Sequence, residues 1–154
     1  MLERIRFLTA GESHGKGLLG IIEGLPSNIK ISETYVKQHL SRRQKGHGRG
    51  GRMKIEDDFA EFIGGVRYGE TLGGPIGLQI QNRDWENWKD VMDHNIPEKP
   101  SKPITMLRPG HADLAGLQKF GMNDIRNILE RSSARETTMR VALGSFCRKM
   151  LEDI

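Results

Sequence analysis

Two histidines lie in glycine-containing turns and are the first candidates for acid–base chemistry. His14 falls within GESHGKG (11–17), and His111 follows Pro109 and Gly110. An imidazole changes its charge near neutral pH, so two such side chains can serve as an acid and a base. Taken singly, each is more often a hydrogen-bonded structural or surface histidine. The spacing alone leaves both interpretations open.

Ser13 stands in GESHG (11–15), which matches the G-x-S-x-G turn around the nucleophile of many hydrolases. That turn needs a strand before the serine and a helix after it. Here LLGIIE (18–23) follows, a short segment ended by Gly24 that predicts a strand. The adjacent histidine adds little, because a serine–histidine pair depends on tertiary geometry. We therefore set a hydrolase aside.

The positive charge of the chain is concentrated in one segment. Residues 37–54 contain seven lysines and arginines and no acid, in a chain whose net charge is +4. Four glycines fall within 46–51, where the backbone can approach a ligand closely. Arginine suits a bidentate grip on phosphate or carboxylate, so the segment predicts a focused site for an anionic ligand. The alternatives are a solvated basic face and an RNA- or phospholigand-binding module that uses loop 42–54.

A second anion site is indicated at RSSARE (131–136), which is predicted to begin a helix. Ser133 and Glu136 have the spacing of a capping box, in which two side chains satisfy free backbone N–H groups. The same N–H groups and the helix dipole, flanked by Arg131 and Arg135, also favour an anion. The spacing supports both interpretations equally. No H-x-x-x-H or C-x-x-C spacing occurs, so no metal site is predicted.

The elements that must position these side chains are strands first and helices later. Strands are predicted over Arg4–Thr9, Leu18–Glu23, Met53–Glu56, Phe62–Val66 and Pro75–Gln81. Helices are predicted over 33–43 with Ser32 as the cap, and over 85–92, 112–120, 125–130 and the segment that contains Met139 to Met150. Residues 94–108, rich in proline, are predicted to form a loop. Strands gathered before helices indicate the α+β class, with an antiparallel sheet packed against helices.

Length and composition exclude several classes of protein. The 154 residues suit one domain and contain no apolar run near the ~18 residues of a membrane span. Charges at positions 3, 4 and 6 and the lack of a long apolar stretch argue against a signal peptide. Cys147 is the single cysteine, which fits the reducing cytoplasm. We therefore expect a cytoplasmic location.

Four motifs, taken together and in this order, resemble the chorismate synthase family: AGESHG (10–15), SRRQ..G.GRG.RM (41–53), RPGHADL (108–114) and ERSSARET (130–137). GVRYGETLGGPI (65–76) fits as well. Motifs of this length, spread over nearly the whole chain, are far more specific than either histidine turn alone. Members of the family are longer. The resemblance therefore implies that residues 1–154 are the N-terminal portion of a single domain, folded as a β-α-β sandwich, whose C-terminal portion is absent.

The resemblance implies a lyase. Its substrate, 5-enolpyruvylshikimate-3-phosphate, would lose phosphate and a C6 proton in an anti-1,4-elimination that gives chorismate, the last common step of the shikimate pathway of aromatic amino acid biosynthesis. Reduced FMN is the implied cofactor, and NADPH the implied reductant. The implied assembly is a homotetramer that acts on a small phosphorylated carboxylate, with no nucleic acid or membrane as partner.

Matched motif by motif, the resemblance also implies roles for individual residues. His14 would protonate the departing phosphate, and His111 would lie beside the reduced flavin and manage its protonation. The implied substrate ligands are all arginines: Arg43, Arg49, Arg52, Arg108 and Arg135. Two of them are also the positions associated with NADP: Arg43 and Arg49. The implied FMN contacts are Arg131, Ser132 and Ser133.

Overall fold

The computed structural model of the protein describes residues 4–45 and 55–152. Within these ranges the chain forms seven strands and five helices. The strands are β1 Arg6–Ala10, β2 Gly17–Glu23, β3 Ser27–Lys30, β4 Glu61–Gly64, β5 Val66–Arg67, β6 Glu70–Leu72 and β7 Ile76–Gln81. The helices are α1 Glu33–Gln44, α2 Trp85–Met92, α3 Asp113–Phe120, α4 Arg126–Arg131 and α5 Glu136–Glu152.

The larger sheet has four antiparallel strands in the order β1-β2-β7-β4. Side chains along a strand alternate between two faces. Leu18 and Ile22 of β2 are therefore buried together with Ile76 and Ile80 of β7. The register pairs Leu18 with Ile80 and Ile22 with Ile76, which places all four on one inner face. Full burial of each such side chain contributes about 1.5–3 kcal/mol.

Helix α5 covers this inner face of the sheet. Met139, Leu143 and Phe146 follow helical spacing and are at most 2% exposed. Gly20 of β2 permits the close approach, because a Cβ at that position would lie 2.5 Å from the sulfur of Met139. The core thus forms where the longest helix crosses the centre of the larger sheet.

Helix α1 packs beside α5 and completes the core. Ser32 caps it, since its Oγ accepts a hydrogen bond of 3.2 Å from the backbone N of Tyr35. Val36 and Leu40, one turn apart, have no exposed surface. The predicted helix over 33–43 and its cap are confirmed.

The smaller sheet joins three short antiparallel strands in the order β3-β6-β5. Sequence reasoning does not predict β3 and β6, because segments of four and three residues are too short to show an alternating pattern. The predicted strand Phe62–Val66 is divided into β4 and β5 by Gly65, whose φ is +87°. The prediction over Met53–Glu56 falls partly outside the described residues, and its described part is not a strand.

Helices α2, α3 and α4 lie within two residues of their predicted positions, and 94–108 is irregular as predicted. The predicted helix start at 131–136 is confirmed at its last residue only, because Arg131 ends α4 and α5 begins at Glu136. The serine part of the predicted cap is present, since Ser133 Oγ accepts a hydrogen bond of 3.2 Å from the backbone N of Arg135, but Glu136 does not complete a capping box. The Glu136 carboxylate accepts hydrogen bonds from Thr9 Oγ1 at 2.7 Å and from Arg140 Nε at 2.8 Å instead.

The outer face of the larger sheet is apolar and exposed. The register pairs Leu8 of β1 with Ile21 of β2, and Leu19 lies two residues from Ile21 on the same face. With Ile63 of β4, these side chains are 50–75% exposed. A sheet normally buries both faces or makes one polar. This face therefore has the character of an interaction surface.

The architecture is α+β, with antiparallel sheets packed against helices, as predicted. Four of the five helices of the described ranges lie in the second half of the chain; α5 packs on the larger sheet and α1 packs on α5. Among these helices, none has both the length and the apolar character needed to cross a membrane.

Candidate active site

The glycine turn between β1 and β2 is fixed by the residue that follows β7. Asn82 donates from Nδ2 to the carbonyl oxygens of Glu12 at 3.1 Å and Gly15 at 2.8 Å. Its backbone N donates to the carbonyl oxygen of Lys16 at 3.1 Å. The Oδ1 atom of Asn82 accepts from Nε of Arg135 at 2.9 Å. Because Asn82 and Arg135 are both buried, these bonds are shielded from water and hold the turn firmly.

His14, within that turn, is anchored by a buried carboxylate. Its ring Nδ1 lies 2.9 Å from both carboxylate oxygens of Glu130, and its backbone N donates to the same group at 2.8 Å. The Glu130 side chain has no exposed surface, whereas that of His14 is 20% exposed. The carbonyl oxygen of Glu130 also accepts from the backbone N of Ser13 at 3.0 Å. One glutamate thus fixes both the ring and the backbone of the turn.

Helix α2 bounds the other side of the His14 ring. Trp88 stacks on the imidazole, with ring centroids 3.9 Å apart and planes inclined by 23°. The Nε2 atom of His14 lies 4.0 Å from Oδ2 of Asp84. That oxygen accepts a hydrogen bond of 3.1 Å from Nε1 of Trp88. The ring is therefore held between two carboxylates and against one indole face.

Ser13 lacks the surroundings of a hydrolase nucleophile. Strand β2 follows the turn, where a nucleophile elbow requires a helix. Ser13 itself is only 4% exposed. These surroundings argue against a hydrolase nucleophile at Ser13.

His111 lies in a turn whose contacts are local in sequence. Nη2 of Arg108 lies 2.9 Å from Nδ1 of His111, and Oδ1 of Asp113 lies 3.3 Å from the same atom. Arg108 lies nearer to Nδ1 than Asp113 does, and a guanidinium has donors only, so we infer that Nδ1 accepts this bond and that the neutral ring carries its proton on Nε2. The His111 side chain is 34% exposed. His111 thus offers an N–H donor at Nε2.

An ion pair with a buried carboxylate supports the His111 turn. Asp113 has no exposed surface, and its Oδ2 accepts from the backbone N and Nε of Arg108 at 2.9 and 3.0 Å. Its Oδ1 accepts from Nη2 of Arg108 at 2.8 Å. The side-chain hydrogen bond from Arg108 holds the pKa of Asp113 well below its usual range, and the same bond raises the pKa of Arg108. The Arg108 side chain remains 41% exposed, so part of it stays accessible to a ligand.

One cleft gathers His111 and the three residues that the resemblance assigns to FMN. It has a volume of about 520 Å³ and lies between the end of α4 and the start of α5. Its lining residues are His111, Arg131, Ser132, Ser133, Ala134, Glu136, Thr137 and Arg140. Two arginines and three hydroxyl groups face one carboxylate, so the lining is cationic and rich in hydrogen-bond donors.

The single acid of the cleft is neutralised by groups of the chain itself. Arg131 donates from Nη2 to the carbonyl oxygen and Oγ1 of Thr9, both at 2.8 Å, which ties the end of α4 to β1. Burial opposes ionisation of Glu136, but hydrogen bonds from Arg140 and Thr9 lower the pKa of Glu136 overall. With Arg131 39% and Arg140 55% exposed, the cleft keeps a net positive charge.

The predicted substrate arginines of the basic segment are only partly within the described residues. Arg43 reaches from α1 to the start of α5, where Nη2 donates to the carbonyl oxygen of Ala134 at 2.6 Å and to Oγ1 of Thr137 at 3.0 Å. Ala134 and Thr137 line the cleft, so Arg43 lies against its wall. Arg49 and Arg52 lie outside the described residues, and their roles stay predictions.

Arg135 is buried away from the cleft among acidic side chains. Nη1 donates to Oδ1 of Asp58, and Nη2 lies 3.5 Å from Oε2 of Glu56. The side chain is 7% exposed. A buried arginine paired in this way joins the turn before α5 to the segment before β4 and, through Asn82, to the His14 turn. These contacts are structural, and the substrate-binding role implied by the resemblance stays a prediction.

Comparison with known proteins decides the family. The model of the family described as "Chorismate synthase" matches residues 5–154. The chain belongs to the chorismate synthase family. It is 59% identical over 153 residues to the chorismate synthase of Aquifex aeolicus (strain VF5) and 58% identical over 150 residues to that of Sulfurihydrogenibium sp. (strain YO3AOP1). These alignments cover 99% and 97% of this chain and 38% of each relative.

A solved structure agrees with the sequence relatives. The structure titled "Crystal Structure of Chorismate Synthase" superposes with a TM-score of 0.73 at 45% sequence identity. The superposition covers 99% of this chain and 36% of that chain. The family resemblance stated from the motifs is confirmed. The chain spans well under half the length of the chorismate synthases that it matches.

Sequence reasoning misses several residues around His14. Glu130 begins the motif ERSSARET (130–137), but its partner His14 is 116 residues away. No local sequence pattern indicates a pair so distant in the chain. Asp84, Trp88 and Asn82 carry no motif that points to the turn. Within the described ranges, no group of three or more His, Cys, Asp or Glu side chains is arranged to hold a metal ion.

Proposed function

We propose that this chain supplies acid–base and anion-binding residues for the chorismate synthase reaction, the anti-1,4-elimination of phosphate from 5-enolpyruvylshikimate-3-phosphate. The observation that carries the proposal is the convergence of three motifs. Glu130 holds the His14 turn, and the residues directly after it share a cleft with His111. Separately, each motif has a structural explanation. Together they place His111 on a cationic cleft and connect His14, through Glu130, to the residues that line it. Family membership favours this enzyme over an RNA- or phospholigand-binding module built on loop 42–54.

The charge of the substrate suits the cations around this cleft. One phosphate and two carboxylates require several positive side chains, and arginine supplies paired donors for each anionic group. Arg43 lies against the cleft wall, and Arg108 keeps exposed surface beside His111. We assign substrate binding to these two and, by the family resemblance, to Arg49, Arg52 and Arg135.

The departing phosphate needs a proton donor, and His14 is our candidate. A positioned general acid lowers the barrier by protonating the leaving group as its bond to carbon breaks. The His14 ring is fixed by Glu130 and remains 20% exposed, so it can be both oriented and reached. Arginine charge nearby would stabilise the negative charge that develops on the phosphate.

The cleft beside α5 fits the reduced FMN that the family implies. Hydroxyl groups of Ser132 and Ser133 and the guanidinium of Arg131 suit a phosphate or an anionic ring. A volume of about 520 Å³ is of the size that small-molecule sites have. The chemistry that reduced FMN supplies when bound is a transient electron for the substrate and help in taking up the proton. His111, on the same cleft, would hold a proton at its Nε2.

The remaining expectations form part of the same proposal. NADPH would serve as the reductant, with Arg43 and Arg49 as its ligands, and the protein would act in the cytoplasm. The 154 residues would form the N-terminal portion of a single domain. This last assignment agrees with the share of each relative that the chain covers.

We propose a homotetramer in which the outer sheet face is buried against another copy. The exposed apolar side chains of this face support the assignment. Introducing lysine at Leu19 and Ile21 should lower the mass measured by sedimentation while circular dichroism stays unchanged. An unchanged mass would show that this face is not a subunit interface.

The experiment that tests the reaction is anaerobic phosphate release. The assay uses a polypeptide of the relatives' length that contains these 154 residues, called the full-length enzyme below. With reduced FMN and 5-enolpyruvylshikimate-3-phosphate, phosphate and chorismate should form in equal amounts. Oxidised FMN is the matched control and should give neither product. The proposal fails if the full-length enzyme binds substrate and reduced FMN but releases no phosphate.

A further inference from the structure

We propose that Glu130 is the positioning residue of His14: it keeps a proton on Nδ1 and leaves Nε2 as the atom that exchanges a proton with the substrate. This inference rests on the proposed function for its kinetic consequence. Its structural content, the proton arrangement of one imidazole, stands on the described contacts alone.

The first step is the chemistry of the Glu130 carboxylate. Both of its oxygens lie 2.9 Å from Nδ1 of His14, and one also accepts from the backbone N of His14 at 2.8 Å. The side chain has no exposed surface, so water does not replace these bonds. An ionised carboxylate can only accept hydrogen bonds, so Nδ1 must carry the proton. Loss of the Nδ1 proton would leave the buried Glu130 carboxylate without one of its hydrogen-bond donors, which is costly in free energy.

The second step concerns the opposite edge of the ring. Nε2 lies 4.0 Å from Oδ2 of Asp84, beyond hydrogen-bond length, and among the described residues it has no hydrogen-bond partner. Asp84 is itself held by Trp88 Nε1 at 3.1 Å and by Asn87 Nδ2 at 2.8 Å. Trp88 also stacks on the ring at 3.9 Å. These contacts hold the ring in place, and Nε2 keeps its hydrogen-bonding capacity for a ligand.

The third step follows the proton. When both ring nitrogens are protonated, the two carboxylates stabilise the positive ring by charge attraction, and the indole face adds to it. The ring then gives its Nε2 proton to an oxygen of the departing phosphate, and that oxygen takes the electron pair of the broken C–O bond. The neutral imidazole keeps the proton on Nδ1, hydrogen-bonded to Glu130, and solvent restores the proton at Nε2.

The kinetic test compares two substitutions in the full-length enzyme. Glu130→Gln removes the charge but keeps the size, whereas Glu130→Asp keeps the charge on a shorter side chain. We expect Glu130→Gln to lower kcat by about 10²-fold with KM within about threefold, because general acid catalysis contributes about that much or more. Glu130→Asp should recover part of the loss. A kcat for Glu130→Gln within about threefold of the wild type would overturn the kinetic role.

The second test needs no activity and separates this inference from the proposed function. Nitrogen-15 spectra of the His14 ring, recorded where the ring is neutral, report which nitrogen carries the proton. We expect Nδ1–H in the wild type and a mixture of both forms in Glu130→Gln. His94, whose Nδ1 lies 3.2 Å from Asp93 at an exposed site, is the matched control, and Asp93→Asn should leave the His14 spectrum unchanged. A wild-type ring in the Nε2–H form overturns the inference, even where phosphate release supports the proposed function. Conversely, a correct ring spectrum in an enzyme without phosphate release contradicts the proposed function alone.

Discussion

The two histidine regions hold an imidazole ring by opposite kinds of hydrogen bond. The Nδ1 atom of His14 meets a carboxylate, so it is a donor, whereas Nδ1 of His111 meets a guanidinium, so it is an acceptor. The Glu130 partner of His14 lies 116 residues along the chain, and the Arg108 partner of His111 only three. The proton arrangement of an imidazole is therefore set by its neighbour and not by the turn that carries it.

The two regions also differ in what holds them. The His14 turn depends on tertiary contacts from α4, from Asn82 and, through Asn82, from Arg135. The His111 turn is held by Arg108 and Asp113 of the same short motif. Damage to the core should therefore disturb the first region and spare the second. Four predictions test this difference, taken from the largest expected effect to the smallest.

Removal of the His14 imidazole should have the largest effect. We expect His14→Ala to lower kcat for phosphate release by the full-length enzyme by about 10²–10⁴-fold, the usual contribution of a positioned acid. His94→Ala, at an exposed site, is the matched control and should leave kcat unchanged. Equal rates for His14→Ala and the wild type would contradict the catalytic assignment and leave the contrast between the two regions purely structural.

Arg135→Met should destabilise the protein strongly. It removes the buried cation that pairs with Asp58 and Glu56, which costs about 3–5 kcal/mol in the free energy of unfolding. Urea unfolding measures this change. Arg148→Met removes an exposed pair with Glu152 and should cost no more than about 0.5 kcal/mol. Similar losses for both variants would show that the Arg135 network is not the anchor that we infer.

Asn82→Ala should loosen the His14 turn selectively. Loss of its side chain leaves the carbonyl oxygens of Glu12 and Gly15 without their donor, at a cost of about 1–3 kcal/mol. Amide hydrogen exchange of residues 12–16 should become faster. Exchange around His111 should stay unchanged. Faster exchange in both regions would contradict their independence.

Asp113→Asn should have the smallest effect, and one that depends on pH. The pKa of folded Asp113 lies below the unfolded value of about 3.9, because Arg108 donates to it. Its stabilisation is therefore complete above about pH 4 and is lost as pH falls toward the folded pKa. Unfolding measured from pH 7 to pH 2.5 should show the wild type more stable near neutrality and the difference shrinking below pH 4. Asp90→Asn, at an exposed position of α2, is the control. A difference that is constant with pH would contradict the ion pair.

Sequence reasoning succeeds where periodicity or a long motif carries the signal. Helix α1 and its Ser32 cap, the strand β7 and the family all follow from the residues themselves. It fails where the decisive contact is distant in sequence. Three- and four-residue strands such as β3 and β6 are set by pairing partners, which no local pattern contains.

The site shows the same division. Arg131, Ser132 and Ser133 are found as a possible anion site from their motif, yet the expected helix start is replaced by the end of α4 and a gap before Glu136. Arg135 matches the family motif, but burial among two acids could be known only from the fold. Glu130 is missed because its function depends on a ring that comes 116 residues earlier.

The contrast between the two histidines is tested most directly by one nitrogen-15 spectrum of both neutral rings in the wild-type protein. We predict opposite tautomers: His14 with its proton on Nδ1, facing Glu130, and His111 with its proton on Nε2, since Arg108 occupies Nδ1. Two rings in the same tautomer would contradict the account.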